Sequence, residues 1–88
     1  MFELGQVVIT RPALAFAEAN GVDVVGLLRR HHGGDWGELD SHDKRLNDAA
    51  VSSGEDRVFS AYDACGERFY IITEWDRSST CVMLARDY

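Results

Sequence analysis

Three short β-type runs separated by turn-forming residues occupy the second half of this 88-residue chain. Residues 57–63, 67–75 and 80–84 are rich in β-branched and aromatic side chains, and each connection between them is short. Short connections between successive strands favour antiparallel pairing. The middle run is apolar on both faces, which indicates a central strand covered at least in part on both sides. The sequence therefore predicts a three-stranded antiparallel β-meander.

The first half of the chain predicts one strand followed by helices. The predicted elements are a strand over residues 2–10, a helix capped by Thr10 that ends at Asn20-Gly21, a helix from Val22 to about His32, and a helix capped by Asp40 or Ser41. The expected fold is α+β: an N-terminal strand, two to three helices, then the meander packed on the helices. We expect residues 1–88 to form a single compact acidic domain.

The third predicted helix has an apolar and a polar side. Leu46, Ala49 and Ala50 recur at helical spacing, so we expect them to face the core. Asp43 and Asn47 are four residues apart and share a face of the helix. The same helix therefore packs on the sheet and presents polar side chains.

Nearly all of the net charge of −6 lies in the middle of the chain. Residues 35–56 contain seven acidic and two basic residues, which gives −5. Such a chain is poorly suited to direct contact with nucleic-acid phosphates, which requires a basic surface. An acidic surface instead suits a basic partner, including the nucleic-acid-binding surface of another protein. The alternative is that the acidic residues only keep a small protein soluble.

Two tryptophans lie beside these charges. Trp36 precedes Gly37 in the acidic loop, and Trp75 lies at a strand end next to Asp76 and Arg77. Tryptophan and arginine are enriched among the residues that contribute most to protein interfaces. The structural alternative is that each indole folds back into the core. The sequence leaves both interpretations open for each tryptophan.

The candidate partner-binding residues share negative charge, an indole ring or a position beside these groups. They are Asp35, Trp36, Glu38, Asp40, Asp43, Asn47, Asp48, Glu74, Trp75, Asp76 and Arg77. The sequence has no phosphate loop, GxGxxG, HExxH or GxSxG motif, and we assign no catalytic residue, metal or cofactor. Cys65 and Cys81 are interpreted as reduced, partly buried thiols.

Three segments resemble a family of small bacterial proteins that are often labelled plasmid-related. They are Gly34-Asp35-Trp36-Gly37 followed by Leu39, Asp43, Asn47 and Ala49-Ala50; then residues 57–62, RVFSAY; then residues 71–80, IITEWDRSST. Family members have about ninety residues and occur on plasmids and integrative elements. The chain departs from the family at Ala85-Arg86, where a proline and an acidic residue are common. The resemblance implies a mobile-DNA setting and no established activity.

The sequence and this setting together predict a binding protein rather than an enzyme. The expected function is inhibition of a host nucleic-acid-targeting defence complex, of the anti-restriction or anti-CRISPR type, through an acidic face that resembles DNA. The partner would be a host protein or nucleoprotein complex with a basic surface, without direct nucleic-acid or membrane contact. A cytoplasmic location is expected because no signal peptide or long apolar run is visible.

Two alternatives remain open at this stage. One is a small enzyme or hydrolase accessory with a pocket between helices and sheet, which a ligand at His31, His42, Asp43 or Asn47 would favour. The other is a homo-oligomeric structural module, and a homodimer is also compatible with the leading hypothesis.

Overall fold

The fold is a four-stranded sheet with two helices on one of its faces and a third helix beside one of its edges. The computed structural model describes residues 2–88. Its elements are β1 (Gln6–Ile9), α1 (Arg11–Asn20), α2 (Val24–His32), α3 (Ser41–Ser53), β2 (Val58–Ala64), β3 (Glu67–Thr73), β4 (Ser79–Leu84) and a 3-10 turn (Ala85–Asp87). The α+β class is confirmed.

The sheet has the strand order β1-β4-β3-β2. β2 pairs with β3 and β3 with β4 in antiparallel register, whereas β1 lies parallel to β4, from Gln6 opposite Ser79 to Ile9 opposite Val82. The sheet is therefore mixed and four-stranded, and the predicted three-stranded antiparallel meander is wrong for the sheet as a whole. The local pattern of β1 predicts a strand but contains no information about its neighbour, which lies more than 70 residues later in the chain.

The helices cover one face of the sheet only. α1 and α2 pack Ala13, Ala17 and Leu27 against the face of the sheet that carries Phe69 and Val82. A second cluster joins Phe2, Trp36 and Ala50 to Val58 on the same face. Within residues 2–88, both clusters lie on this face of the sheet, and neither includes a side chain from the opposite face.

α3 lies beside the edge of β2 rather than squarely on the sheet. Ala50 is buried as expected, but Leu46 and Ala49 are exposed, so the prediction that they face the core is wrong. Asn47 is buried instead. The reason is that α3 faces unpaired backbone N–H and C=O groups at a strand edge. An amide side chain can form hydrogen bonds with these groups, and an apolar side chain cannot.

The helix starts follow capping chemistry. Thr10 accepts a hydrogen bond from the Ala13 amide, and Asp40 accepts one from the Asp43 amide at 2.8 Å. α2 begins at Val24 rather than Val22, because Asp23 is its cap and accepts from the Gly26 amide. Within residues 2–88, no helix has the length and apolar character that a membrane span requires.

Candidate functional site

The outer edge of β2 is closed by groups from the acidic segment. The Asn47 side-chain amide donates to the Phe59 carbonyl at 2.5 Å, and its oxygen accepts from the Phe59 amide at 3.0 Å. The Ala61 amide donates to the Trp36 carbonyl, and the Glu38 amide donates to the Ala61 carbonyl. These four bonds satisfy backbone groups that an edge strand otherwise presents to solvent.

Trp36 is part of the core and is not available to a partner. Its side chain is 4% exposed and lies against Phe2 and His31. The indole N–H donates to the Asp48 carboxylate at 2.9 Å, which satisfies its only polar group. Of the two interpretations that the sequence leaves open, the structure selects the core for this tryptophan.

Three of the candidate acidic residues within residues 35–48 have structural partners. The Arg30 guanidinium, 2.7 Å away, holds the pKa of the Asp35 carboxyl below its ordinary value. Asp40 caps α3, and Asp48 accepts from Trp36. All three carboxylates nevertheless belong to exposed residues, so their negative charge still faces solvent.

Within residues 35–48, Glu38 and Asp43 are the acidic candidates without such bonds. Both are exposed, and neither side chain makes a hydrogen bond or ion pair within residues 2–88. Asp43 and Asp48 are five positions apart on α3, which places them about 140° apart around the helix. The acidic residues therefore lie on both flanks of α3 and do not form one flat patch.

The turn between β3 and β4 presents the second tryptophan. Trp75 is 63% exposed, next to Glu74 and Asp76. The Ser78 amide and hydroxyl both donate to the Asp76 carboxylate, which lowers the pKa of Asp76. This turn therefore offers an exposed ring between two carboxylates.

Arg77 is half-buried, and its guanidinium is engaged by backbone carbonyls. Its guanidinium donates to the carbonyls of Asp56, Glu74, Trp75 and Ala50. The last of these lies near the C-terminal end of α3, where a cation is favourable. Arg77 thus ties the β3–β4 turn to the end of α3.

A groove runs between α3 and the β2 edge. It has a cavity volume of about 320 Å³ and is lined by Leu39, Asp43, Leu46, Asn47, Arg57 and Phe59. Leu46 at its rim is 56% exposed. The groove combines an apolar floor with one carboxylate and one guanidinium at its rim.

The groove continues onto the uncovered face of the sheet through Phe59. The Phe59 ring lies 4.7 Å from the Tyr70 ring and 5.8 Å from the Tyr88 ring, measured between centroids. The Arg57 guanidinium donates to the Tyr88 hydroxyl at 2.8 Å. The register places Val8, Cys81, Ile72 and Phe59 in one row across this face, with Met83 and Tyr70 in the next row. We call this surface the open face.

A buried polar chain links four secondary-structure elements, and the sequence analysis missed it. Thr80 donates to the Leu4 carbonyl at 2.7 Å, so its oxygen accepts from Thr73. The single hydroxyl proton of Thr73 is then engaged with Thr80, so Thr73 can only accept a hydrogen bond from the imidazole. His31 Nε2 therefore donates to Thr73 at 2.9 Å. Because burial keeps the imidazole of His31 neutral, Nδ1 then accepts from Ser60 at 2.5 Å. These bonds correspond to the tautomer that is protonated at Nε2.

Burial of this imidazole, followed by the charge of His32, lowers the pKa of His31 to about 4. The sequence signal for the chain is weak. His31 lies on the apolar side of a predicted helix. Ser60, Thr73 and Thr80 are residue types that also occur in ordinary strands, so they do not indicate a hydrogen-bonded chain. Their inward direction follows from strand alternation, but their meeting point depends on the register.

Residues 2–88 contain no cluster of three or more His, Cys, Asp or Glu side chains arranged to hold a metal ion. Comparison of the chain with known protein families, curated proteins and solved structures finds no match in any of the three. The resemblance to plasmid-related proteins therefore stays a prediction.

Proposed function

We propose that this chain is a non-catalytic binding protein that docks on a basic protein surface and blocks a host nucleic-acid-targeting complex. The observation that carries the proposal is the open face and its adjoining groove. Within residues 2–88 no α-helix packs on this face, where Val8 and Tyr88 are exposed, Phe59 and Tyr70 are half-buried and Ile72 is buried. Acidic residues flank it at the groove. Partly exposed apolar surface next to charged groups is typical of protein interaction sites.

The charge distribution supports a basic partner. The acidic segment 35–56 forms α3 and its entry loop, beside the groove. Carboxylates of Glu38 and Asp43 would meet lysine or arginine side chains that otherwise contact phosphates. Because the carboxylates of α3 lie on two flanks, we propose that they guide the approach of the partner and that apolar contacts supply most of the affinity.

The apolar anchors differ from those that the sequence suggests. Trp36 is excluded by its burial, and Arg77 by its four bonds to carbonyl groups. We assign the anchoring role to Trp75 and to Phe59, Tyr70 and Tyr88 on the open face. Large aromatic side chains contribute strongly to interfaces because they bury much area with few rotatable bonds.

A charge-neutralised variant tests this function without disturbing the fold. Asp40→Asn keeps the helix cap because asparagine caps as well as aspartate does. Asp48→Asn keeps an oxygen for the Trp36 indole, and Asp43 has no intramolecular side-chain bond to lose. The triple variant is used as bait beside the wild-type chain in host lysate. We expect the wild-type chain to capture a nucleic-acid-binding protein that duplex DNA and high salt displace.

The matched control removes three charges elsewhere. Glu18, Asp23 and Asp87 are exposed and lie outside the acidic segment, and asparagine in place of Asp23 keeps the α2 cap. The variant E18Q/D23N/D87N therefore has the same net charge as the triple variant. Capture should fall at least about tenfold for D40N/D43N/D48N and remain for the control. Equal capture by both variants, or capture indifferent to DNA, overturns the proposal.

The groove also favours a second candidate function. A cavity of about 320 Å³ with an apolar floor, Asp43 and Arg57 is within the size range of small-molecule sites. This feature agrees with the alternative of an enzyme or enzyme accessory with a helix–sheet pocket. Saturable binding of a small metabolite that Leu46→Trp abolishes would favour this alternative over the protein partner.

A further inference from the structure

The two edges of the sheet differ in how their outward backbone groups are hydrogen-bonded. Along β2, side-chain and loop groups bond the outward amides and carbonyls of Phe59 and Ala61. Along β1, the Gln6 amide bonds Ser78 and the Thr10 amide bonds Val82. The alternation of a parallel ladder then turns the backbone groups of Val7 and Ile9 away from β4. No group outside the sheet bonds Val7 within residues 2–88.

Apart from its length of four residues, β1 lacks the features that normally protect an edge strand. Its sequence, Gln6-Val7-Val8-Ile9, contains no charge and no proline. Val7 and Val8 point to opposite faces, and they are 44% and 43% exposed. Natural proteins usually blunt such an edge with lysine, proline, a bulge or a covering segment. An unguarded strand of this kind favours pairing with another strand.

We propose that β1 pairs antiparallel with β1 of a second copy of this chain and forms a symmetric dimer with a continuous eight-stranded sheet. In a dimer with two-fold symmetry, both copies contribute the same edge, β1, to the interface. Because the β2 edge is closed at Phe59 and Ala61, after one pairing it offers a further copy only the backbone groups near Asp63. The structure therefore points to a dimer rather than a growing fibre.

Charge complementarity favours a second copy in antiparallel orientation. Glu3 precedes β1 and Arg11 follows it, and both are exposed without an ion pair within residues 2–88. With the two-fold axis at Val7, antiparallel pairing brings Glu3 of each copy toward Arg11 of the other. Residues 1–34 carry three acidic and three basic residues, so this end avoids the repulsion that a net charge of −6 causes elsewhere.

The expected dimer is weak and depends on concentration. A four-residue strand is only about 13 Å long, so its pairing buries less than the roughly 800 Å² per partner of a standard interface. The pairing also aligns Val8 of both copies with the row that contains Cys81 and Ile72. The open faces of the two copies then become one surface, which the acidic segments border at its far ends.

Sedimentation equilibrium of the full chain, up to about 0.5 mM, tests the proposal at concentrations where weak interfaces associate. Val7→Pro removes an outward amide and leaves the β1–β4 bonds intact, because proline is tolerated at an edge position whose N–H faces solvent. Val8→Lys adds a charge beside the two-fold axis and retains every backbone group. Val25→Lys is the matched control, since Val25 is a 58% exposed valine on α2.

The wild-type chain and Val25→Lys should show a reversible monomer–dimer equilibrium, and both β1 variants should weaken dimerisation at least tenfold. Circular dichroism establishes that each variant is folded, and Val8→Lys decides the result if Val7→Pro is not. A wild-type chain that remains monomeric, or a dimer that Val8→Lys leaves unchanged, overturns the proposal. Because charge neutralisation of α3 leaves β1 intact, this outcome is independent of the partner-binding test.

Discussion

The side-chain amide of Asn47 takes the place of a neighbouring strand for Phe59, with bonds to both its amide and its carbonyl. This pair fixes α3 beside the sheet and closes the β2 edge. It also positions the groove and brings the acidic segment next to the open face. The arrangement of the candidate binding surface therefore depends on one asparagine.

Asn47→Ala should destabilise the fold by about 2–4 kcal/mol, because two backbone groups lose partners at a partly buried edge. The control is Asn20→Ala, which removes one exposed bond to Phe16 and should cost less than about 1 kcal/mol. Urea unfolding measures both free energies. If Asn47→Ala lowers the free energy of unfolding by no more than Asn20→Ala does, water must bond the Phe59 backbone groups as well as the Asn47 amide does.

Gly37→Ala should be far more disruptive than Gly54→Ala. Both glycines have positive φ, 75° and 71°. A Cβ at Gly37 would collide with the Ala61 carbonyl and the Tyr62 ring, whereas nothing lies within 4 Å of one at Gly54. We expect about 1 kcal/mol for Gly54→Ala and at least about 3 kcal/mol for Gly37→Ala, measured by thermal unfolding. Similar costs would show that the bridge between Gly37 and Ala61 is not tight.

Stability should decrease on mild acidification because His31 is buried in its neutral form. Burial lowers the pKa of His31 from 6.5 to about 4 in the folded chain. The unfolded chain therefore binds the proton first as the pH falls. The stabilisation is complete above about pH 6.5 and is lost progressively toward pH 4, by on the order of 3 kcal/mol.

Urea midpoints at pH 7.5, 6 and 5 measure this dependence. His31→Gln should flatten the change in stability between these pH values, although it also lowers stability at pH 7.5 by disturbing the bonds to Ser60 and Thr73. Replacement of the exposed His42 by glutamine is the control and should preserve the dependence. A wild-type chain equally stable at pH 7.5 and 5 is incompatible with a neutral, buried imidazole.

The two tryptophans should give distinct fluorescence. Trp75→Phe leaves only the buried Trp36, so we expect blue-shifted emission and weak acrylamide quenching. Trp36→Phe leaves only the exposed Trp75, which should emit at longer wavelength and be quenched strongly. The second variant should also be less stable, because it loses the indole bond to Asp48. Identical quenching in the two variants would contradict the assigned burial.

Features set by neighbouring residues could be predicted from the sequence. Thr10 caps its helix as expected, and Val58, Ser60 and Tyr62 share the buried face of β2, because capping and strand alternation depend on local spacing. The parallel pairing of β1 could not be predicted, since its partner is distant in the chain. The local sequence pattern of β1 would be the same whether the strand paired with β4 or with no other strand.

Sequence alone did not predict the surroundings of the candidate binding residues. The acidic segment lies beside a groove, Trp36 lies in the core and Arg77 binds carbonyls. The role of these residues in partner binding stays a prediction. Sequence alone does not distinguish an interface tryptophan from a core tryptophan between glycines. The role of Asn47 could not be predicted either. The local sequence of a helix does not show whether it packs against a strand edge or against the face of a sheet.

The entry of foreign DNA into a restricting host tests the proposed function most directly. The chain is expressed in hosts with active restriction or RNA-guided nucleases, and the efficiency of transformation by unmodified plasmid is measured. The wild-type chain and E18Q/D23N/D87N should raise this efficiency in a host whose nuclease they bind, and D40N/D43N/D48N should not. No increase in any host, or an equal increase with the D40N/D43N/D48N variant, would contradict inhibition through the acidic segment.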